Sequence, residues 1–456
     1  MQLTTNTEII NGKYLHDEKP TVSVIECNRN GLLHACLLVE AGFKVICVDS
    51  DRAVVERLSK GRIQFLKQEI EPIIRKNLEN GRLQASCNIE DAVSQSSVVL
   101  VTTPAITSER GAVTVDYSSI EKTLKKLGSY LQKNTLTIIT SMVGIGVTEN
   151  LLKEVLESSS GFRVGVDCFL AYSPVPFSEK QTMNSLAKCR RVVAAYDKTS
   201  LEKALKIIGA VTKGETIATL NLKAAEAAVL FEAVYRSVGF AFANELALLC
   251  ERTGVDYLTV KSISPLTEAF YQPALDNFGE KALLMLLDEA ENHNIKLKIP
   301  QAAVRSSREI IKHGVSLVQE ALKNCGKTLR RAKIAILGVS QTRNMADNPK
   351  ALLKTFAKIL ERRGAKLSLH DPYMHRKTMD IEAQPLEESL IKTVEGADCI
   401  VIFTGHDQFK RLDLEKIKFL AKMPAAIVDF EGILDPFKVE SEGFIYRGLG
   451  RGVWRK

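Results

Sequence analysis

A chain of 456 residues with 45% hydrophobic and 25% charged residues has an ordinary globular composition, with room for roughly two to four domains. Its 62 Lys and Arg against 54 Asp and Glu leave a formal charge of +8, spread along the sequence rather than gathered into a tail, which speaks against nucleic-acid binding. The nine cysteines are scattered, a usage that fits reduced thiols and gives no zinc spacing, so no metal site is expected. No apolar run approaches the ~20 residues of a membrane helix, and the opening MQLTTNTEIINGKY lacks a basic start followed by an apolar core. A cytoplasmic protein with no membrane partner is expected.

From Thr21 the sequence alternates β-branched apolar runs with helical stretches. TVSVI reads as a strand, Gly31 to Ala41 as a helix, KVICVD as a strand, and Ala53 to Asn80 as largely helical with charges on one side. VVLVTT, TLTIITSM, FLAYSP and RRVVAAY continue the strands, with helices at DYSSIEKTLKKLGSYL and VTENLLKEVLES between them. This order predicts an α/β fold with a doubly wound parallel sheet. After Gly214, LKAAEAAVLFEAVYRSVGFAFANELALLCERTG contains no proline and reads as one long helix stopped near Gly254. It is too apolar for a solvated surface and is expected to be buried between domains or against a second subunit. A second α/β series starts at RRAKIAILGVS and continues through AKLSLHDPY, ADCIVIFTG, AAIVDF and GFIYRGLG. The expected division is 1–213 for a first Rossmann-like domain, 214–326 for a helical core, and 327–456 for a second Rossmann-like domain.

The glycine turn after the first strand departs from what a dinucleotide needs. Such a turn uses one glycine for the tight bend, one for close approach of the pyrophosphate and one for helix packing. Those positions read Glu26, Asn28 and Gly31. Asn28 tolerates a left-handed backbone better than most residues, but its Cβ intrudes on the phosphate, and Glu26 opposes an anion at a helix amino terminus. Asp49, at the end of the second strand, is placed to take ribose hydroxyls; the alternative is that it only caps a helix.

In this order of parts the chain resembles the UDP-glucose/GDP-mannose dehydrogenase family, the nucleotide-sugar dehydrogenases, from Thr21 to Arg451. The carrying stretches include VICVDSDRAVVERLSKGRIQF, VVLVTTPA, VYRSVGFAFANELALLCERTGVD, LERRGAKLSLHDPYM, ADCIVIFTGHDQFKRLDLEKI and GFIYRGLGRG. The resemblance implies an amino-terminal NAD-binding domain, a dimerisation core on the long helix and a carboxy-terminal UDP-sugar-binding domain. It implies oxidation of a sugar hydroxyl to a carboxylate by two NAD-dependent hydride transfers, through a cysteine-bound thiohemiacetal and thioester. It adds Arg52 and Thr103 to Gly31 and Asp49 as cofactor-binding positions.

The resemblance also locates the catalytic positions, and none carries the expected group. The family's cysteine falls at Ala282 in NFGEKALLMLLDEAE, and no cysteine lies between Cys250 and Cys325. Its accompanying acid falls at Leu286, two residues before Asp288. The helical lysine and asparagine fall at Val229 and Ala233; Lys223 is six residues from the lysine position. Met142 replaces a hydroxyl in TSMVGIG, and Val175 a glutamate in AYSPVPF, with Glu179 the nearest acid. In the carboxy-terminal part, NMADNPK keeps Asp347 but has Pro349 for the nucleotide-gripping arginine, and Glu431 reverses the charge of a second one. Two readings follow. One is a catalytically inactive relative with a binding, regulatory or assembly role, as a homodimer or a heterodimer with an active paralogue. The other is an active NAD-dependent oxidoreductase on a UDP- or GDP-sugar with a rebuilt site. The residues imply weak NAD binding in either case.

Overall fold

The computed structural model describes residues 19–63, 66–110, 112–175, 182–265, 270–275, 279–346, 349–374 and 386–452. TVSVI forms β1 (Thr21–Ile25), buried from Val22 onward, as expected for a strand covered by helices on both faces of a sheet. The following strands are β2 (Lys44–Val48), β3 (Leu83–Ser86) and β4 (Val98–Val101), then a hairpin of β5 (Ile106–Arg110) with β6 (Ala112–Asp116), then β7 (Leu136–Ile139), β8 (Phe169–Tyr172), β9 (Arg191–Ala195) and β10 (Thr216–Thr219). Eight of them form one sheet in the order β10-β9-β8-β7-β4-β1-β2-β3. The chain direction of travel reverses between β1 and β4, where the carboxyl ends of parallel strands open a crevice.

The departure from an all-parallel sheet begins at β9, which runs antiparallel to β8 and parallel to β10, so both strands at that edge are reversed. The helix between β8 and β9, Met183–Lys188, has only six residues, about 9 Å at helical rise, shorter than a crossover helix that carries the chain back along a sheet. The charged stretch after β2 is likewise two helices, Arg52–Ser59 and Lys67–Glu79.

Grouped by contacts, the chain forms two compact units, one running to Val234 with Lys281–Lys296 added, the other Tyr235–Glu280 with the residues from Leu297 onward. The stretch expected as a separate helical core thus contributes to both. Its long helix, Leu222–Thr253, ends before Gly254, whose φ of +72° is the left-handed conformation that glycine adopts freely at a helix end.

In the second unit, β11 (Lys333–Leu337), β12 (Lys366–His370), β13 (Cys399–Ile402), β14 (Ala426–Asp429) and β15 (Ile445–Gly448) form a parallel sheet ordered β12-β11-β13-β14-β15. Its core joins Phe356, Phe403 and Phe430 to Val315 and Leu322 of the helix Lys298–Asn324 and to Ala243 and Ala247 of the long helix. The stretch after β15 seals this core. Gly450 donates its N–H to Glu251 (2.8 Å), its carbonyl accepts from Tyr257, and Arg451 pairs with Asp256 at 2.5 Å.

A buried cation supports the first sheet. Arg191 is 1% exposed and donates to Ser173 Oγ (3.1 Å), to the Ser173 carbonyl (3.0 Å) and to His34 Nε2 (3.3 and 3.4 Å). His34 Nδ1–H in turn donates to the Asn30 carbonyl (2.8 Å). Burial first, and then the guanidinium charge, pull the His34 pKa down to about 3. Because that lies below the ordinary value of about 6.5, the stability it reflects is complete above pH 6.5 and is lost as pH falls. The urea midpoint is expected to drop between pH 7 and pH 4, and less steeply in His34→Gln, whose amide oxygen still accepts from Arg191; equilibrium unfolding followed by circular dichroism checks this.

Candidate functional site

The turn after β1 has the helix-packing glycine of a nucleotide-binding turn but not the other two. Glu26 has φ +75°, a left-handed conformation that costs a side chain roughly 1–2 kcal/mol. The next constraint is Gly31. A Cβ there would lie 2.1 Å from the Glu26 carbonyl oxygen, so only glycine lets the helix Arg29–Glu40 pack this close to the strand end. Asn28 does not use the left-handed tolerance expected of it: its φ is −69°, and it is the helix cap. Its Oδ1 accepts from Gly31 N–H (3.0 Å) and its Nδ2 donates to the Thr102 carbonyl (2.8 Å). The side-chain amide thus satisfies a backbone donor that a pyrophosphate would otherwise meet at a helix amino terminus. The residues present do not fit the dinucleotide's pyrophosphate.

The neighbouring cleft is kept. A cavity of about 250 Å³ is lined by Ile25 and Glu26 after β1, Val48 and Asp49 after β2, Cys87 and Ile89 after β3, and Ser119, Lys122, Thr123 and Lys126 from the helix Ser118–Gly128. Asp49 accepts the backbone N–H of Cys27 and of Asp51, each at 2.9 Å. It is Asp51, not Asp49, that caps the next helix, through Ala53 N–H (2.8 Å). Arg52 begins that helix and is exposed, without an ion-pair partner among the described residues. Thr103 is buried, its hydroxyl 3.2 Å from that of Thr123. Burial raises the pKa of Glu26 and the charge of Asp49 adds to this, while a hydrogen bond from Thr103 opposes them. The lysine-bearing wall was not anticipated from the sequence. Its signal is the spacing of Ser119, Lys122, Thr123 and Lys126, which share one helical face.

The residues that the sequence resemblance singles out as catalytic positions carry apolar side chains of differing burial. Val229 is 7% exposed, Ala233 0% and Ala282 1%, while Met142 and Val175 are half-buried. Lys223 lies on the exposed side and pairs with Glu149 at 4.0 Å. Three residues on, Glu226 is fully buried and accepts Gly146 N–H (2.5 Å) and Thr148 N–H (2.8 Å). It therefore anchors the turn that carries Met142. Tyr117 closes the same region, its hydroxyl accepting Gly144 N–H (2.8 Å), and burial with the charges of Asp288, Glu289 and Glu226 pushes its pKa up to about 12. Leu286 and Asp288 are half-buried on the helix Glu280–Asn292, and burial followed by the charges of Glu289 and Glu291 raises the pKa of Asp288. Glu226 and Asp288 therefore hold protons more readily than usual, but the helix Glu280–Asn292 carries no cysteine. Glu179 lies outside the described residues.

In the second sheet the parallel strand ends converge on a buried carboxylate. Asp371 accepts the N–H groups of Val339 (2.8 Å) and Ser340 (2.9 Å) and meets His406 Nε2 at 3.0 Å. Ser340 Oγ shares that same Nε2 (3.1 Å), and Nδ1 accepts from Asn344 N–H (2.8 Å). With serine and aspartate both on one ring nitrogen, the trio is a structural knot and not a catalytic triad. Glu431 pairs with Lys350 at 2.6 Å, the lysine being 4% exposed, so its charge is neutralised within the fold. Pro349 stands beside that lysine; Asp347 lies outside the described residues.

Two doubly wound sheets, each with a crevice at the reversal of strand order, define an α/β protein with Rossmann-like domains. The sequence pattern of the UDP-glucose/GDP-mannose dehydrogenase family, NAD binding domain, matches residues 21–210, and that of the same family's UDP binding domain matches residues 335–436. The chain belongs to this family. It is similar to a UDP-N-acetyl-D-mannosamine dehydrogenase of Pyrococcus horikoshii, 27% identical over 438 residues that cover 94% of this chain and 99% of the relative. A UDP-glucose 6-dehydrogenase of Rickettsia bellii is 26% identical over 439 residues, covering 93% and 98%. The solved structure of a UDP-D-ManNAc dehydrogenase from Pyrococcus horikoshii superposes with a TM-score of 0.83 at 26% identity, covering 95% of this chain and all of that one.

The strained turn yields a stability expectation. Glu26→Gly removes a side chain from a left-handed position and a carboxylate from a half-buried one. It is expected to raise stability by about 1 kcal/mol, read as a higher urea midpoint; an unchanged or lower midpoint would show that the Thr103 hydrogen bond outweighs the backbone strain.

Proposed function

We propose that this chain is a catalytically inactive member of the nucleotide-sugar dehydrogenase family with a binding, regulatory or assembly role. The observation that carries the reading is the set Val229, Ala233 and Ala282, buried apolar side chains at the three positions where the family chemistry needs a cation, an amide and a thiol. Thioester chemistry requires a thiolate nucleophile, and the sequence holds no cysteine from residue 251 to 324. A partner surface is supported by the long helix, which exposes Tyr235 (77%), Phe242 (60%) and Leu249 (58%). These residues are seven apart and share one face, the spacing of a helix seam. The occupant is a second copy of this chain or an active paralogue.

The alternative is an active NAD-dependent oxidoreductase of the nucleotide-sugar 6-dehydrogenase type, working on a UDP- or GDP-sugar. Asp49 and the retained cleft favour it, as do the relatives, which are named as dehydrogenases. The two separate in one assay. With NAD and UDP-glucose, UDP-N-acetylmannosamine or GDP-mannose, no absorbance from NADH is expected with any sugar; turnover with one of them would select the enzyme. Light scattering is expected to give the mass of a dimer for the chain alone, or of a heterodimer when an active paralogue is added. Phe242→Asp with Leu249→Asp is expected to return monomers, and the same mass in both proteins would remove the long helix as the interface.

A further inference from the structure

We propose that the cleft beside β1 and β2 is a site for a single nucleoside monophosphate and not for a dinucleotide. The proposal rests on the non-catalytic reading above, and it starts from the mismatch between the first turn and a pyrophosphate. Asn28 fills the Gly31 donor from within, and Glu26 brings a carboxylate to the same turn. A ligand that had to cross this turn would displace the Asn28 helix cap, whereas one held in the cleft leaves the cap in place.

The cleft itself has two chemically distinct walls. On one side, Asp49 uses two N–H donors, which leaves lone pairs on its two oxygens for ribose hydroxyls. On the other, Lys122 and Lys126 line the cavity four residues apart on one helix, and neither has an ion-pair partner among the described residues. Two adjacent ammonium groups form a receptor for a phosphate dianion. Between the walls, Ile25, Val48 and Ile89 supply apolar surface for a base. The cavity volume of about 250 Å³ lies below the roughly 300–1,000 Å³ of sites that enclose drug-sized ligands. It suits one nucleoside, while a dinucleotide would have to extend over the blocked turn. A monoester also carries more charge to the lysine pair than the diester-like phosphates of a dinucleotide.

Calorimetric titration of the full chain with AMP, adenosine and NAD, in low salt and without sugar, tests this. AMP is expected to bind at least tenfold more tightly than either adenosine or NAD. Lys122→Gln with Lys126→Gln, both at exposed positions, is expected to bring AMP down to the level of adenosine and to leave adenosine unchanged. Glu26→Gly with Asn28→Gly is expected to tighten NAD tenfold or more. Equal affinity of AMP and adenosine, NAD binding as tight as AMP, or no heat from AMP with a folded protein would each overturn the proposal. NADH formation from a nucleotide sugar would instead overturn the non-catalytic reading, and the sugar-free AMP-to-NAD ratio distinguishes the two failures.

Discussion

The contact between the Glu26 carbonyl and Gly31 is the constraint on which the first unit is built. With no room for a Cβ at Gly31, the helix Arg29–Glu40 is held against the end of β1 at a fixed height. The left-handed backbone at Glu26 follows from the same closeness, since the chain must turn sharply to start the helix there. Thr102 ties the arrangement to β4 by donating to the carbonyls of Ile25 and Glu26, each at 2.9 Å. The geometry evolved families use to receive a pyrophosphate is thus also a packing requirement of the sheet. It can persist when the residues facing the ligand change, because the fold itself demands it.

Buried or half-buried carboxylates perform a similar task elsewhere. Glu226 holds the Gly146–Thr148 turn through two backbone donors, Asp371 holds the end of β11, and Asp49 joins the ends of β1 and β2. Their balance of forces differs. At Asp371 the hydrogen bonds and His406 outweigh burial and its pKa is lowered, whereas at Glu226 burial wins and its pKa is raised. On acidification Asp371 therefore loosens the second unit, while Glu226 loses a desolvation penalty and its turn remains tethered by a neutral carboxyl. In this chain these carboxylates fasten turns and strand ends.

Much of this was legible in the residues. The strands were, because runs such as TVSVI and CIVI are too short for helices and too apolar for a surface, and Gly31 was, because a glycine at that spacing has a packing meaning. The reversal of β9 was not, since direction depends on the length of the connection and not on the strand's own composition. The cap at Asn28 could have been read from its preference for that position, but its consequence for a ligand depends on Thr102, seventy-four residues away. Lys350 with Glu431 was hidden for the same reason, being made by segments that the sequence keeps apart; the lysine face of the helix Ser118–Gly128 has a local spacing, but that it lines the cleft depends on the sheet.

The Gly450–Glu251 bond spans 199 residues, and the neighbouring pair Asp256–Arg451 is almost as remote. The last turn of the long helix is consequently fastened by a segment that follows every strand of the second sheet. Closing so long a loop is slow relative to local helix formation. The first unit's eight-stranded sheet can be assembled as its strands emerge in order, but the carboxy-terminal half of the long helix must wait, with its apolar faces uncovered, for the final glycine-rich strap. During synthesis that interval is where the protein is most open to a chaperone or to a premature partner.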